Sequence, residues 1–132
     1  MRNDKPNIIV DLTFEFSLKI IEFIELLESK RKFNLANQLF RSGTSIGANV
    51  WEAQDAESKA DFIHKFKISS KEVNETKYWL LLCKSAKSYP DSSLLLAELE
   101  TIQKVISKLL HHLRSNLQIN FIFKFSNQLY VR

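Results

Sequence analysis

The chain contains one cysteine, two glycines and two prolines in 132 residues. A lone cysteine, Cys83, excludes an internal disulfide and a cysteine-rich zinc site. So few glycines and prolines argue against a sandwich or barrel, whose many tight turns draw on both residues. No uncharged apolar run reaches the roughly 18 residues that a membrane span requires, so none is expected. The opening stretch, MRNDKPNIIVD, lacks the apolar segment and small-residue cleavage site of a secretory leader, and the cytoplasm is the expected compartment. Acidic residues are missing from residues 101–132, which carry five basic groups.

What is there reads as globular: hydrophobic residues make up 45% and charged residues 26%. The length suits one domain with one core, expected over residues 1–116, followed by a tail at 117–132. The net charge of +4 is unevenly spread. Residues 1–58 carry seven basic and nine acidic groups, whereas residues 59–87 carry seven and three. The C-terminal half is therefore expected to offer a positive surface to a polyanion. A mixed, solvated surface is the competing reading of the same charges.

Four amphipathic segments emerge by counting. The first runs from about Thr13 to Ser29, with Phe16, Ile20, Phe23, Ile24 and Leu27 on one stripe and Asp11 or Thr13 as its cap. The second runs from about Asn34 to Gln54 through Leu39, Gly43, Ile46, Val50 and Ala53. The third opens at Ser58, with Asp61 in a near relative of the capping box. Its seam of Phe62, Phe66, Ser69, Val73, Thr76, Leu80 and Cys83 alternates steps of four and three and ends near Tyr89–Pro90. The fourth follows Asp91 and carries Leu95, Leu99, Ile102, Ile106, Leu109 and Leu113. Four such helices with short links predict an all-α, up-down-up-down four-helix bundle. The tail, LQINFIFKFSNQLYVR, alternates its apolar residues at period two and is expected to be extended or disordered.

Both glycines fall in RSGTSIGANVWEAQDAESKADF, residues 41–62. A phosphate-binding loop fails on spacing, because no Walker-type lysine follows and no apolar strand precedes. A turn fails because the apolar stripe passes through Gly43 and Gly47 without a break in phase. Within a helix the pair costs roughly 2 kcal/mol relative to alanine. Close approach is the expected compensation, admitting either another backbone or a bulky neighbour such as Trp79.

Residues 41–84, from RSGTSIGANVWEAQ to KEVNETKYWLLLCK, resemble the signature of the four-helix bundle protein family. Its members include proteins encoded in intervening sequences of bacterial 23S ribosomal RNA genes. The matching residues are Arg41, Ser45, Ile46, Asn49 and Glu52, then Lys71, Glu72, Glu75, Thr76, Tyr78, Trp79 and Leu80. Trp51 departs from the pattern, standing where relatives carry a smaller or acidic residue. The resemblance implies a bundle that assembles as a homopentameric ring. It also implies kinship in fold with the accessory protein of diversity-generating retroelements, which engages nucleic acid and a reverse transcriptase through a basic surface. Most members have no assigned activity.

A second stripe on the third segment, Ile68, Glu72, Glu75, Trp79 and Leu82, calls for cover from another helix or another subunit. Glu72 and Glu75 lie one turn apart, as an acid–base pair or metal ligands would. A di-metal bundle needs Glu-x-x-His pairs on two helices, and none is present. His64, His111 and His112 do not supply the spacing either. The favoured reading is a structural polar layer in which Arg41 pairs with Glu75 or Glu72, completed by Ser45, Asn49 and Glu52. Ser45 lacks a histidine nearby in sequence, Cys83 sits on the core seam, and no cofactor motif appears. No enzyme, cofactor or metal is therefore expected. For nucleic acid the candidates are Lys59, Lys65, Lys67, Lys71, Lys77, Lys84, Lys87, Lys104, Lys108 and Arg114, whose attraction a ring would multiply. The sequence thus points to a non-enzymatic oligomeric scaffold binding RNA or other nucleic acid without reading its sequence. The alternative is a protein–protein interaction scaffold.

Overall fold

The computed structural model describes residues 7–114. The tail expected at 117–132 lies outside them. Four helices follow one another: α1 (Ile8–Ser29), α2 (Phe33–Ala53), α3 (Lys59–Ser85) and α4 (Ser93–Leu113). Helix α1 packs on α2 and α4, and α3 packs on the same two, giving the square of an up-down-up-down bundle.

The ends of the helices follow local chemistry. The start of α1 lies one turn earlier than expected, because Ile9 and Val10 extend its buried stripe and the Asn7 side chain accepts from the Val10 N–H. Thr13, expected as a cap, instead donates its buried hydroxyl to the Ile9 carbonyl at 2.8 Å. At the other end of α1, Arg31 takes the left-handed conformation (φ 62°). Its N–H reaches the Glu28 carbonyl and that of Lys32 reaches the Leu27 carbonyl, each at 2.9 Å, which closes the helix as a Schellman motif. Arginine thus occupies the position where glycine is usual, while neither glycine has a positive φ. Ser58 caps α3 by accepting from the Asp61 N–H at 3.0 Å. Helix α3 stops at Ser85, short of Tyr89–Pro90. The connection to α4 is tied down by buried Ser92, whose hydroxyl donates to the Leu80 carbonyl at 2.6 Å.

The whole seam expected on α3, from Phe62 to Cys83, is buried. On α4, Leu110 is buried and Leu109 only partly so, the reverse of the expected choice between these neighbours. Two buried hydroxyls stitch α3 to α2. Ser69 donates to the Ile46 carbonyl at 2.9 Å, and Thr76 donates to the Ser42 hydroxyl at 3.0 Å. Both are small enough to let the helices come close without orphaning a polar group.

Both glycines lie in unbroken helix and face α1. A Cβ at Gly43 would stand 3.0–3.1 Å from three side-chain carbons of fully buried Ile20. At Gly47 it would meet the Thr13 carbonyl oxygen at 3.1 Å and the Ser17 hydroxyl at 3.2 Å. The nearest neighbours are thus one bulky side chain and one backbone, both of α1. Trp79, offered from sequence as the neighbour, belongs to α3 and lies across the opposite flank of α2.

Candidate functional site

The α2–α3 groove gathers most of the polar residues singled out in the sequence. The Arg41 guanidinium donates to Glu72 Oε2 at 3.3 Å and also to Glu75 Oε2. Glu75 Oε2 accepts in addition from the indole Nε1 of Trp79 at 2.9 Å. One fork therefore holds two carboxylates, and one carboxylate orients the indole. The Arg41 side chain is half exposed, so the cluster lies along the groove rather than in a buried layer. Ser45 donates to the Arg41 carbonyl and Asn49 to the Ser45 carbonyl, at 2.8 Å for the second. These two residues brace α2 itself. Glu52 stands apart from the cluster and pairs with Lys65 at 3.0 Å.

The second stripe of α3 is covered within the chain as far as Trp79, while Leu82, its last member, stays 40% exposed. Ile68, Glu72, Glu75 and Trp79 are all part-buried, and α2 supplies Arg41 to the two carboxylates. A bundle helix touches two neighbours, so two stripes are what a single bundle already demands. Up to Trp79 the stripe is accounted for by α2, and only Leu82 is left without that cover.

Toward the end of the groove the side chains part to leave an apolar cleft of about 640 Å³. Trp79, Leu82 and Ala86 line it from the α3 side, Leu35 and Gln38 from α2, and Tyr89 from the connection to α4. The Lys32 ammonium lies 4.8 Å from the centre of the Tyr89 ring and donates to the Ser88 hydroxyl at 3.2 Å. The second stripe of α3 marked two of its lining residues, Trp79 and Leu82, but not the cleft itself, whose other walls come from two separate stretches.

The solvent-facing side of α3 carries His64, Lys67, Lys71, Asn74 and Tyr78, all exposed and none acidic. Lys67 and Lys71, four residues apart, form no ion pair among the described residues. Tyr78 meets Trp79 edge-on, with ring centres 5.2 Å apart. Of the other expected cations, Lys65 is engaged by Glu52 and Lys104 by Glu100. Lys59 is part-buried, while Lys77, Lys84, Lys87, Lys108 and Arg114 are exposed. The structure spreads these cations over α3, α4 and the link between them instead of gathering them on one face.

Burial pushes the Cys83 thiol up to about 11, so at neutral pH it stays protonated and inert. His111 and His112 stack edge-on at 5.9 Å on α4, and His64 lies on α3. Among the described residues no three His, Cys, Asp or Glu side chains converge as a metal site would require, and no helix is long and apolar enough to cross a membrane.

A second apolar feature was missed in the sequence. Phe14, Leu18 and Ile21 on α1 and Phe33 and Phe40 on α2 are 41–50% exposed. Ile21 and Phe40 line one shallow groove, and Phe14 and Leu18 continue the row along α1 at steps of four and three. The signal was that spacing, running beside the core stripe.

Comparison with known proteins places this arrangement. A comparison with curated proteins finds no match. Among solved structures, a protein with unknown function from the S23 ribosomal protein family of Bacteroides thetaiotaomicron is 36% identical, with a TM-score of 0.75. The match covers 78% of this chain and 98% of that one. The model of the 23S rRNA-intervening sequence protein family matches residues 5–108, which span all four helices except the last turn of α4. The chain belongs to the family of 23S rRNA-intervening sequence proteins.

Proposed function

We propose that this protein is a non-enzymatic, oligomeric helical scaffold, a homopentamer in the cytoplasm, that binds structured RNA through its basic surfaces without reading sequence. One observation carries the reading: the outward face of α3 offers Lys67, Lys71 and Tyr78 with no acidic residue among them. Unpaired ammonium groups on an exposed helix attract phosphates by releasing their counterions. An exposed tyrosine interleaved with them suits an RNA surface. Assembly is supported by the exposed apolar row on α1 and α2, since patches of this kind mark association surfaces. Filter retention of a structured RNA tests the reading. Retention at about 50 mM salt that collapses by about 200 mM is expected. Absence of retention at the lower salt would overturn it.

The same apolar row favours a second reading, in which the scaffold engages a protein such as a reverse transcriptase and no nucleic acid.

A further inference from the structure

Resting on the nucleic-acid reading above, we infer that the cleft between α2 and α3 takes one unpaired base of a single-stranded segment, stacked against Trp79. Three properties of the cleft favour this occupant. First, the indole is immobilised before any ligand arrives, because Nε1 is bound to Glu75 Oε2, itself held by Arg41. A fixed aromatic face loses little freedom when a flat ring settles on it. Second, the floor formed by Leu35, Leu82 and Ala86 is apolar, and the volume of about 640 Å³ falls in the range of small-molecule sites. Asn34 and Gln38 border it with amide groups that form no hydrogen bond among the described residues. An amide offers donors and acceptors together, as the edge of a base requires.

Third, the charge around the cleft is the charge a phosphate backbone needs. Lys32 is held at the mouth by Tyr89 and Ser88. Lys30 and Arg31 precede it in the α1–α2 connection, and Lys87 lies between cleft residue Ala86 and Ser88. The acid nearest the indole, Glu75, is paired with Arg41, which it shares with Glu72, so the one uncompensated charge of that cluster lies on the groove side and not among the cations of the mouth. Along α3 the cleft adjoins Tyr78, which continues into Lys71 and Lys67 at helical steps of seven and four. A strand with its phosphates on that stripe can turn one base inward past Tyr78. A duplex cannot, because its bases are already stacked and paired.

The test uses the full chain and four probes: a single-stranded RNA oligonucleotide, a duplex of the same length, polyphosphate, and an apolar peptide. The chain has two tryptophans, Trp51 and Trp79, and only Trp79 lines the cleft, so the part of the emission lost in Trp79→Leu reports on it. The single strand is expected to quench emission and to bind about tenfold more tightly than the duplex. Trp79→Leu abolishes the quench and the preference while leaving polyphosphate binding unchanged. Leu82→Glu, at a position 40% exposed and so tolerant of a polar side chain, abolishes the preference as well. If single strand and duplex bind equally and neither variant changes this, the cleft assignment fails and the RNA-binding reading survives. If no probe binds at low salt, both fail. If only an apolar peptide quenches Trp79, the cleft belongs to a protein partner and the assignment is overturned.

Discussion

A methyl group added at Gly43 would press on three carbons of Ile20, a side chain with no exposed surface into which it can swing. Alanine gains about 1 kcal/mol in helix propensity, but overpacking costs about 1–3 kcal/mol, so Gly43→Ala is expected to destabilise by about 1 kcal/mol. Ile20→Ala removes all three crowding carbons and alone costs about 2–5 kcal/mol. The double variant should lose less than the sum, which denaturant titration of the four-member cycle measures. Strict additivity would contradict the close approach. At Cys83 the prediction concerns pH. Its thiol ionises from 9.0 in an unfolded chain but only near 11 when buried, so between those values the unfolded chain holds fewer protons. Its contribution is complete below pH 9.0 and is lost as pH rises toward 11, by about 2–3 kcal/mol at most. The stability gap between wild type and Cys83→Ala, read from denaturant melts, should narrow over that window. A gap that stays constant would show the sulfur to be solvated.

At the scale of elements, the α2–α3 groove is held by one arginine. Arg41→Met would leave Glu72 and Glu75 one turn apart with no cation between them. The cluster is partly solvated, so the expected loss is about 1 kcal/mol, or about 4 °C in Tm, and it shrinks in high salt. Glu75→Gln in the same background should recover part of it, and thermal melts of the two variants decide. Much of this groove could be read from the sequence. The four-three alternation on α3 names every buried residue from Phe62 to Cys83, because a long helix on a straight core cannot leave its register. The ends were less legible. Asp11 and Thr13 are good cap formers, but Asn7 wins because apolar Ile9 and Val10 prolong the buried stripe by a turn. Leu109 and Leu110 are the same residue type in adjacent positions, and only packing decides which turns inward. The second stripe on α3 announced a need for cover without saying that α2 meets it as far as Trp79 and leaves Leu82 exposed. Likewise, the cleft at Trp79 depends on Tyr89, in the connection to α4, coming beside residues of α2 and α3, which periodicity does not register.

At the scale of the whole molecule, two surfaces left uncovered among the described residues carry the account. The row of Phe14, Leu18, Ile21, Phe33 and Phe40 is expected to be the seam between copies. Light scattering should give a multiple of 15.4 kDa for wild type and a value near 15.4 kDa for a Phe14→Glu, Phe40→Glu double variant. A wild-type monomer would remove the ring and its multiplication of charge. The other surface is the basic outer face of α3, on which the functional reading stands. The most direct measurement is the salt dependence of RNA binding by wild type and by a Lys67→Glu, Lys71→Glu variant. Counterion release predicts that the slope of log affinity against log salt becomes shallower by about 1.4–1.8 for two lost phosphate contacts in each copy engaged. An unchanged slope would show that this face of α3 is not where RNA sits.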